Sequence, residues 1–95
     1  MKIVADMSLY PLKDGPIPSI IEFIRDLQGQ DGIEIVTNQL SSQIRGEFEV
    51  VTGAINHCMR KAMTASNTVV LVVKYLNVDP ELGTAPSLTA PTQKS

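Results

Sequence analysis

The first ten residues constrain the fold more than any other stretch. From Lys2 to Tyr10 the chain alternates: Ile3, Ala5, Met7 and Leu9 fall on one side, and Lys2, Val4, Asp6, Ser8 and Tyr10 on the other. A period of two with one apolar side predicts a half-buried β-strand. Such a strand needs partners for its main chain and a second layer over its apolar side. Pro11 is expected to stop it, and Lys13-Asp14-Gly15-Pro16 reads as a loop.

The period then changes. In Ser19–Gln28, Ile20, Phe23, Ile24 and Leu27 form one stripe at helical spacing. Ser19 and Glu22 have the spacing of a capping box, while Pro18 would suit the first helical turn. Ile33–Thr37 and Leu40–Glu47 return to period two, with Asn38-Gln39 as the short link of an antiparallel hairpin. A second helix is expected over Glu49–Met63, its stripe made by Val51, Ile55, Cys58, Met59 and Ala62, with Phe48 at its start. Thr68–Leu76 reads as a strand whose run Val69-Val70-Leu71-Val72-Val73 is apolar on both sides, which predicts cover on both.

The order is βαββαβ. Right-handed crossovers then place both helices on one face of a four-stranded antiparallel sheet, a ferredoxin-like α+β sandwich. Ninety-five residues with no Trp allow one domain with a core of Ile, Val, Leu, Ala and Met. Residues 1–79 are assigned to it. Residues 80–95 carry Pro80, Pro86 and Pro91 among Ser, Thr, Gly and Ala, and are expected to be a largely disordered tail. The sheet face away from the helices is expected to be bare, with Val4, Val70 and Val72 on it. An apolar bare face on so small a domain predicts self-association.

Composition removes several functions. The single Cys58 excludes an intramolecular disulfide, and with the single His57 it leaves no Cys/His zinc set. The formal charge is −2 and the eight basic residues are scattered, which argues against nucleic acid. The initial apolar run ends at Asp6, too short for a signal peptide core, and no stretch is long enough to span a bilayer. The expected setting is the cytoplasm. His57 and Cys58 are neighbours on a helix, about 100° apart, so they diverge rather than form a nucleophile and base. His57 reads as a solvated surface residue and Cys58 as a small buried hydrophobe.

One end of this fold gathers polar residues: Ser8 and Tyr10 from the first strand, Thr37, Asn38, Gln39, Ser41 and Ser42 from the hairpin, and the Ser66-Asn67 link. Thr37 and Ser42 fall on the helix-facing side, among Ile35, Leu40 and Ile44. Buried hydroxyls need partners. These are either local main chain, or a ligand with hydrogen-bonding edges in a small pocket under the hairpin. Asn38 also suits a left-handed turn position, and Asp6 and Lys74 suit a cross-strand ion pair. Gly46 is expected to ease the passage from strand to helix.

Three segments together resemble one family. Lys2–Leu12 ends in a Ser-x-Tyr-Pro-Leu signature, Thr37–Glu47 is a hairpin with a polar tip and a closing Gly-Glu, and Val69–Lys74 is an apolar strand ending in Lys. They are similar to the thiamine-binding YkoF-like family in its short single-domain form. The resemblance implies the ferredoxin-like fold, assembly into homo-oligomers, which the bare face places through the sheet as a dimer or tetramer, and binding of thiamine or its hydroxymethylpyrimidine part by a cytoplasmic carrier or sensor. It implies binding without catalysis, and no cofactor or metal is expected. It marks Ser8, Tyr10, Asn38, Ser42 and Lys74, to which the hydroxyl pattern adds Thr37. Many members carry Thr-Pro at the tip where this chain has Asn38-Gln39, and Gly-Thr where it has Ser41-Ser42. The competing reading is a structural or regulatory oligomeric module that binds another metabolite or none.

Overall fold

The computed structural model describes residues 1–65 and 68–84. It has β1 (Lys2–Pro11), α1 (Ile17–Gln28), β2 (Glu34–Thr37), β3 (Ser42–Glu47), α2 (Phe48–Ala65) and β4 (Val69–Leu76). All neighbours in the sheet are antiparallel, in the order β2-β3-β1-β4. Both helices lie on one face, so the fold is the ferredoxin-like sandwich. The core forms where the inward side of β1 meets the two helical stripes. Ala5, Met7, Leu27, Ile44, Val51, Ile55 and Cys58 are all but sealed from solvent there.

Local details depart from the sequence pattern for physical reasons. α1 begins at Ile17, with Pro16 as its N-cap, Pro18 in the first turn and no side-chain cap bond. The Ser19–Glu22 capping box is therefore not formed; proline's fixed φ starts the helix instead. β1 continues through Pro11, which pairs with Val69 at the end of the β1–β4 ladder. β3 starts at Ser42, not Leu40, and Leu40 is 86% exposed in the turn. β3 runs into α2 without a linker. Gly46 answers a close approach rather than a turn: a Cβ there would lie 2.9 Å from the Gly32 carbonyl oxygen.

The face away from the helices is open over Val70 and Val72, so β4 is covered on one side only within the chain. Val4 lies on the same side yet is buried. Its sheet partners are Arg45 and Leu76. Arg45 Nε donates to Asp79 Oδ1 at 2.7 Å, and its other guanidinium arm donates to Glu34 Oε1 at 3.0 Å. Asp79 follows β4 and Arg45 sits on β3, so the chain after β4 turns back across β1 at the level of Val4. A turn at Leu82-Gly83 follows, in which Thr84 Oγ1 donates to the Glu81 carbonyl at 2.9 Å. Residues 85–95, most of the expected tail, and the Ser66-Asn67 link lie outside the described residues.

Candidate functional site

A cleft of about 220 Å³ opens where the hairpin tip, the last residues of β1 and the first half of α1 converge. Its apolar wall is Ile20, Phe23 and Ile24 from α1 with Met7 and Leu9 from β1; its polar wall is Ser8, Thr37, Asn38, Ser41 and Ser42, with Tyr10 at the rim. The α1 stripe divides its labour. Phe23 and Leu27 are buried in the core, whereas Ile20 and Ile24 stay half-buried because they wall the cleft.

Ser42 is the deepest polar group, 4% exposed and the single buried polar residue among those described. Its Oγ lies 2.9 Å from Thr37 Oγ1, and either can donate. Thr37 and Ser42 are register partners at the end of the β2–β3 ladder, so they share a face, and the pairing of Ser42 with buried Met7 makes it the helix-facing one. Two hydroxyls sharing one bond keep spare lone pairs and one free proton.

Asn38 is engaged in the turn. Its Oδ1 accepts from the Leu40 and Ser41 N–H groups at 3.0 and 3.1 Å, and its own N–H donates to the Ser41 carbonyl at 3.0 Å. Among the described residues no residue other than glycine has a positive φ. Asn38 therefore serves this turn through its side-chain oxygen, not through left-handed backbone. Ser8 Oγ donates to the Leu40 carbonyl at 3.3 Å, tethering the tip to β1. Tyr10 is half exposed, on the open side of β1 opposite Val70.

Lys74 is not brought to the cleft. It lies on the open sheet face, opposite Asp6. Asp6 does not form the expected ion pair; its Oδ1 accepts from Ser41 Oγ at 2.6 Å and Gln43 Nε2 at 2.8 Å. Burial pushes the Asp6 carboxyl up, but the bonds from Gln43 and Ser41 and the nearby Lys74 charge outweigh it and hold it below the ordinary range. Tyr75 is paired with Ala5, on the helix-facing side and away from the cleft.

Five of the six residues singled out from the sequence thus line one cleft: Ser8, Tyr10, Thr37, Asn38 and Ser42. Sequence reasoning missed Ile20, Ile24 and Leu9, which a helical stripe and a strand alternation mark only as core. All thirteen lining residues are uncharged. Another hollow, of about 60 Å³, lies between the two helices over Leu9, Phe23 and Val69. The Lys61–Asp26 ion pair, 2.9 Å, belongs to its lining. It has space for a few waters, not for a ring. Among the described residues there is no metal-binding cluster, and no helix is long and apolar enough to cross a membrane.

No family model matches the chain, and no curated protein matches it in sequence. Solved structures do. Protein SP2199 from Streptococcus pneumoniae is 26% identical with a TM-score of 0.76, covering 87% of this chain and 92% of its own. A candidate thiamine biosynthesis/salvage protein from Thermotoga maritima is 18% identical with a TM-score of 0.70, covering 90% of each chain. A domain of unknown function (DUF77) from Bacillus cereus is 15% identical with a TM-score of 0.67, covering 93% of this chain and 84% of its own. At such identities these likenesses speak for the fold.

Proposed function

We propose that this chain binds thiamine or its hydroxymethylpyrimidine moiety in the hairpin cleft, without chemistry. The observation that carries the reading is one cleft lined both by apolar side chains, Ile20, Phe23 and Ile24, and by the bonded Thr37–Ser42 hydroxyls, of which Ser42 is buried. A ring needs apolar cover on its faces and donors and acceptors at its edge. About 220 Å³ suits one substituted ring rather than a drug-sized ligand. The resemblance in the three sequence segments supports the choice of ring, as does the T. maritima neighbour's description.

The reading as a binder rather than an enzyme rests on what the chain offers a reaction. Cys58 is buried, and burial followed by the Asp26 charge raises its pKa to about 11, so it stays a thiol. His57 is exposed on α2, away from the cleft. The open face, with Tyr10, Val70, Val72 and Leu76 about half exposed, supports contact with a second copy. Light scattering at micromolar concentration is expected to give a mass at least twice 10.3 kDa; a monomer there refutes that contact.

A ligand that binds only the native state raises the melting temperature. Thiamine or 4-amino-5-hydroxymethyl-2-methylpyrimidine, at concentrations far above micromolar, is expected to do so and to give heat in calorimetry. Absence of both effects for both compounds refutes the reading.

A further inference from the structure

We propose that the main-chain N–H and C=O of Leu9 are the recognition edge of the cleft, reading the adjacent donor and acceptor of a neutral aminopyrimidine. We further propose that Ser8 and Asn38 are positioning residues that keep this edge free. The inference rests on the ligand reading above and names the groups that would select the ligand.

The argument starts from register. In an antiparallel ladder the main-chain groups of alternate residues point to opposite neighbours. The Met1 carbonyl accepts from Phe48 on the β3 side, and the Leu12 N–H donates to Thr68 on the β4 side. Ile3, Ala5, Met7 and Leu9 therefore turn their main-chain groups toward β3. The β1–β3 ladder ends at Met7–Ser42, while the β1–β4 ladder continues to Pro11–Val69. Leu9 faces past the end of β3, into the cleft it lines. Continuing the register would set Leu40 opposite Leu9.

Leu40 does not take that place, because both of its main-chain groups are diverted. Its N–H goes to Asn38 Oδ1 at 3.0 Å, and its carbonyl accepts from Ser8 Oγ at 3.3 Å. The residue is 86% exposed. Among the described residues neither main-chain group of Leu9 has a partner beyond the ladder, although the residue is only 7% exposed. A sheltered main-chain donor and acceptor almost always find partners. Side by side on one strand edge, they match an exocyclic amine next to a ring nitrogen, as the next residue of a close ladder pair would. The thirteen uncharged lining residues offer no counter-charge, so the neutral pyrimidine is the class selected.

The test is amide NMR on the full, ¹⁵N-labelled chain titrated with 4-amino-5-hydroxymethyl-2-methylpyrimidine. Without ligand the Leu9 amide is expected to exchange with solvent faster than Met7; with ligand it shifts and becomes protected. An analogue with hydrogen in place of the exocyclic amine is expected to bind about tenfold more weakly, one buried hydrogen bond being lost. The Ser8→Ala, Asn38→Ala double variant lets the hairpin zip one rung further. Its Leu9 amide is expected to be protected without ligand, and binding to fall by tenfold or more. If the pyrimidine binds while the Leu9 amide is unmoved, or the analogue binds equally well, this inference is overturned and the ligand reading stands. If the pyrimidine does not bind, both fall. The wild-type comparison of the two pyrimidines decides even if the double variant fails to fold.

Discussion

Replacing Ser42 by alanine separates binding from folding. In the free protein the change removes one hydroxyl bond, 2.9 Å long, to Thr37. Thr37 is exposed and regains water, so the cost belongs at the low end of the usual range, about 0.5–1 kcal/mol. For a domain of this size that lowers the melting temperature by about 2–8 °C. A bound ring loses more, because its edge group is left facing an alanine methyl in a sheltered wall; about tenfold in affinity is expected, or ~1.4 kcal/mol. The two effects combine measurably. With ligand at about 100 times the wild-type Kd, stabilisation by ligand is ~2.7 kcal/mol. After a tenfold loss the same concentration gives ~1.4 kcal/mol, so the ligand-induced rise in melting temperature is roughly halved. The assay is a thermal melt with and without the pyrimidine, with calorimetry for the Kd. Thr37→Val serves as the companion, since it removes the partner hydroxyl but keeps the branched shape. Should either variant melt lower while its ligand-induced rise stays at the wild-type size, the hydroxyl pair is only a brace for the hairpin and the cleft is not read through it.

Three further outcomes follow from the packing. Gly46→Ala puts a Cβ 2.9 Å from the Gly32 carbonyl oxygen and 3.4 Å from Val51 Cγ2. Crowding of about 1–3 kcal/mol outweighs the entropic gain of about 0.4–1 kcal/mol, so urea unfolding should show a lower midpoint; an unchanged or higher one contradicts the close approach. Asp6 is held below its unfolded value of 3.8. Its bonded carboxylate therefore stabilises the fold fully above that pH, and the contribution is lost as pH falls through the lower folded value. Asp6→Asn should flatten this part of the acid limb in a melting-temperature series, and a wild-type acid profile in the variant refutes the role. Cys58, buried and with its pKa raised to about 11, should resist a thiol reagent at pH 8 until denaturant opens the core; immediate stoichiometric labelling of native protein contradicts its burial.

The fold was legible because its signals are periodic. Alternation in Lys2–Tyr10 and stripes such as Ile20, Phe23, Ile24 and Leu27 are burial patterns, and burial decides element type and facing. The boundaries failed where a competing bond decides. Ser19 and Glu22 have capping-box spacing, yet Pro16 and Pro18 set φ earlier and start α1 first. Leu40 extends the apolar alternation of β3, yet the Asn38 side chain captures its N–H and removes it from the strand. Val4 has the parity of an open-face residue, and its burial comes from the chain doubling back through Asp79 to Arg45, a tertiary contact with no local signature.

The candidate site was legible only in its side chains. Hydroxyls on the helix-facing side of the hairpin, Thr37 and Ser42, stand out among Ile35 and Ile44, and Ser42 is the buried polar residue of the cleft. Ser8 and Asn38 stood out as well, but for a role that only the coordinates define. Each spends its polar group on Leu40, and so each shapes the cleft by what it withholds from Leu9. A main-chain edge has no letter in the sequence, because every residue but proline carries the same N–H and C=O. It becomes visible only as a difference in register, with β1 running to Pro11 beside β4 but ending at Met7 beside β3. The four residues of β1 beyond that point are where the sheet has one neighbour instead of two, and where a small ring with a donor and an acceptor could replace the missing strand.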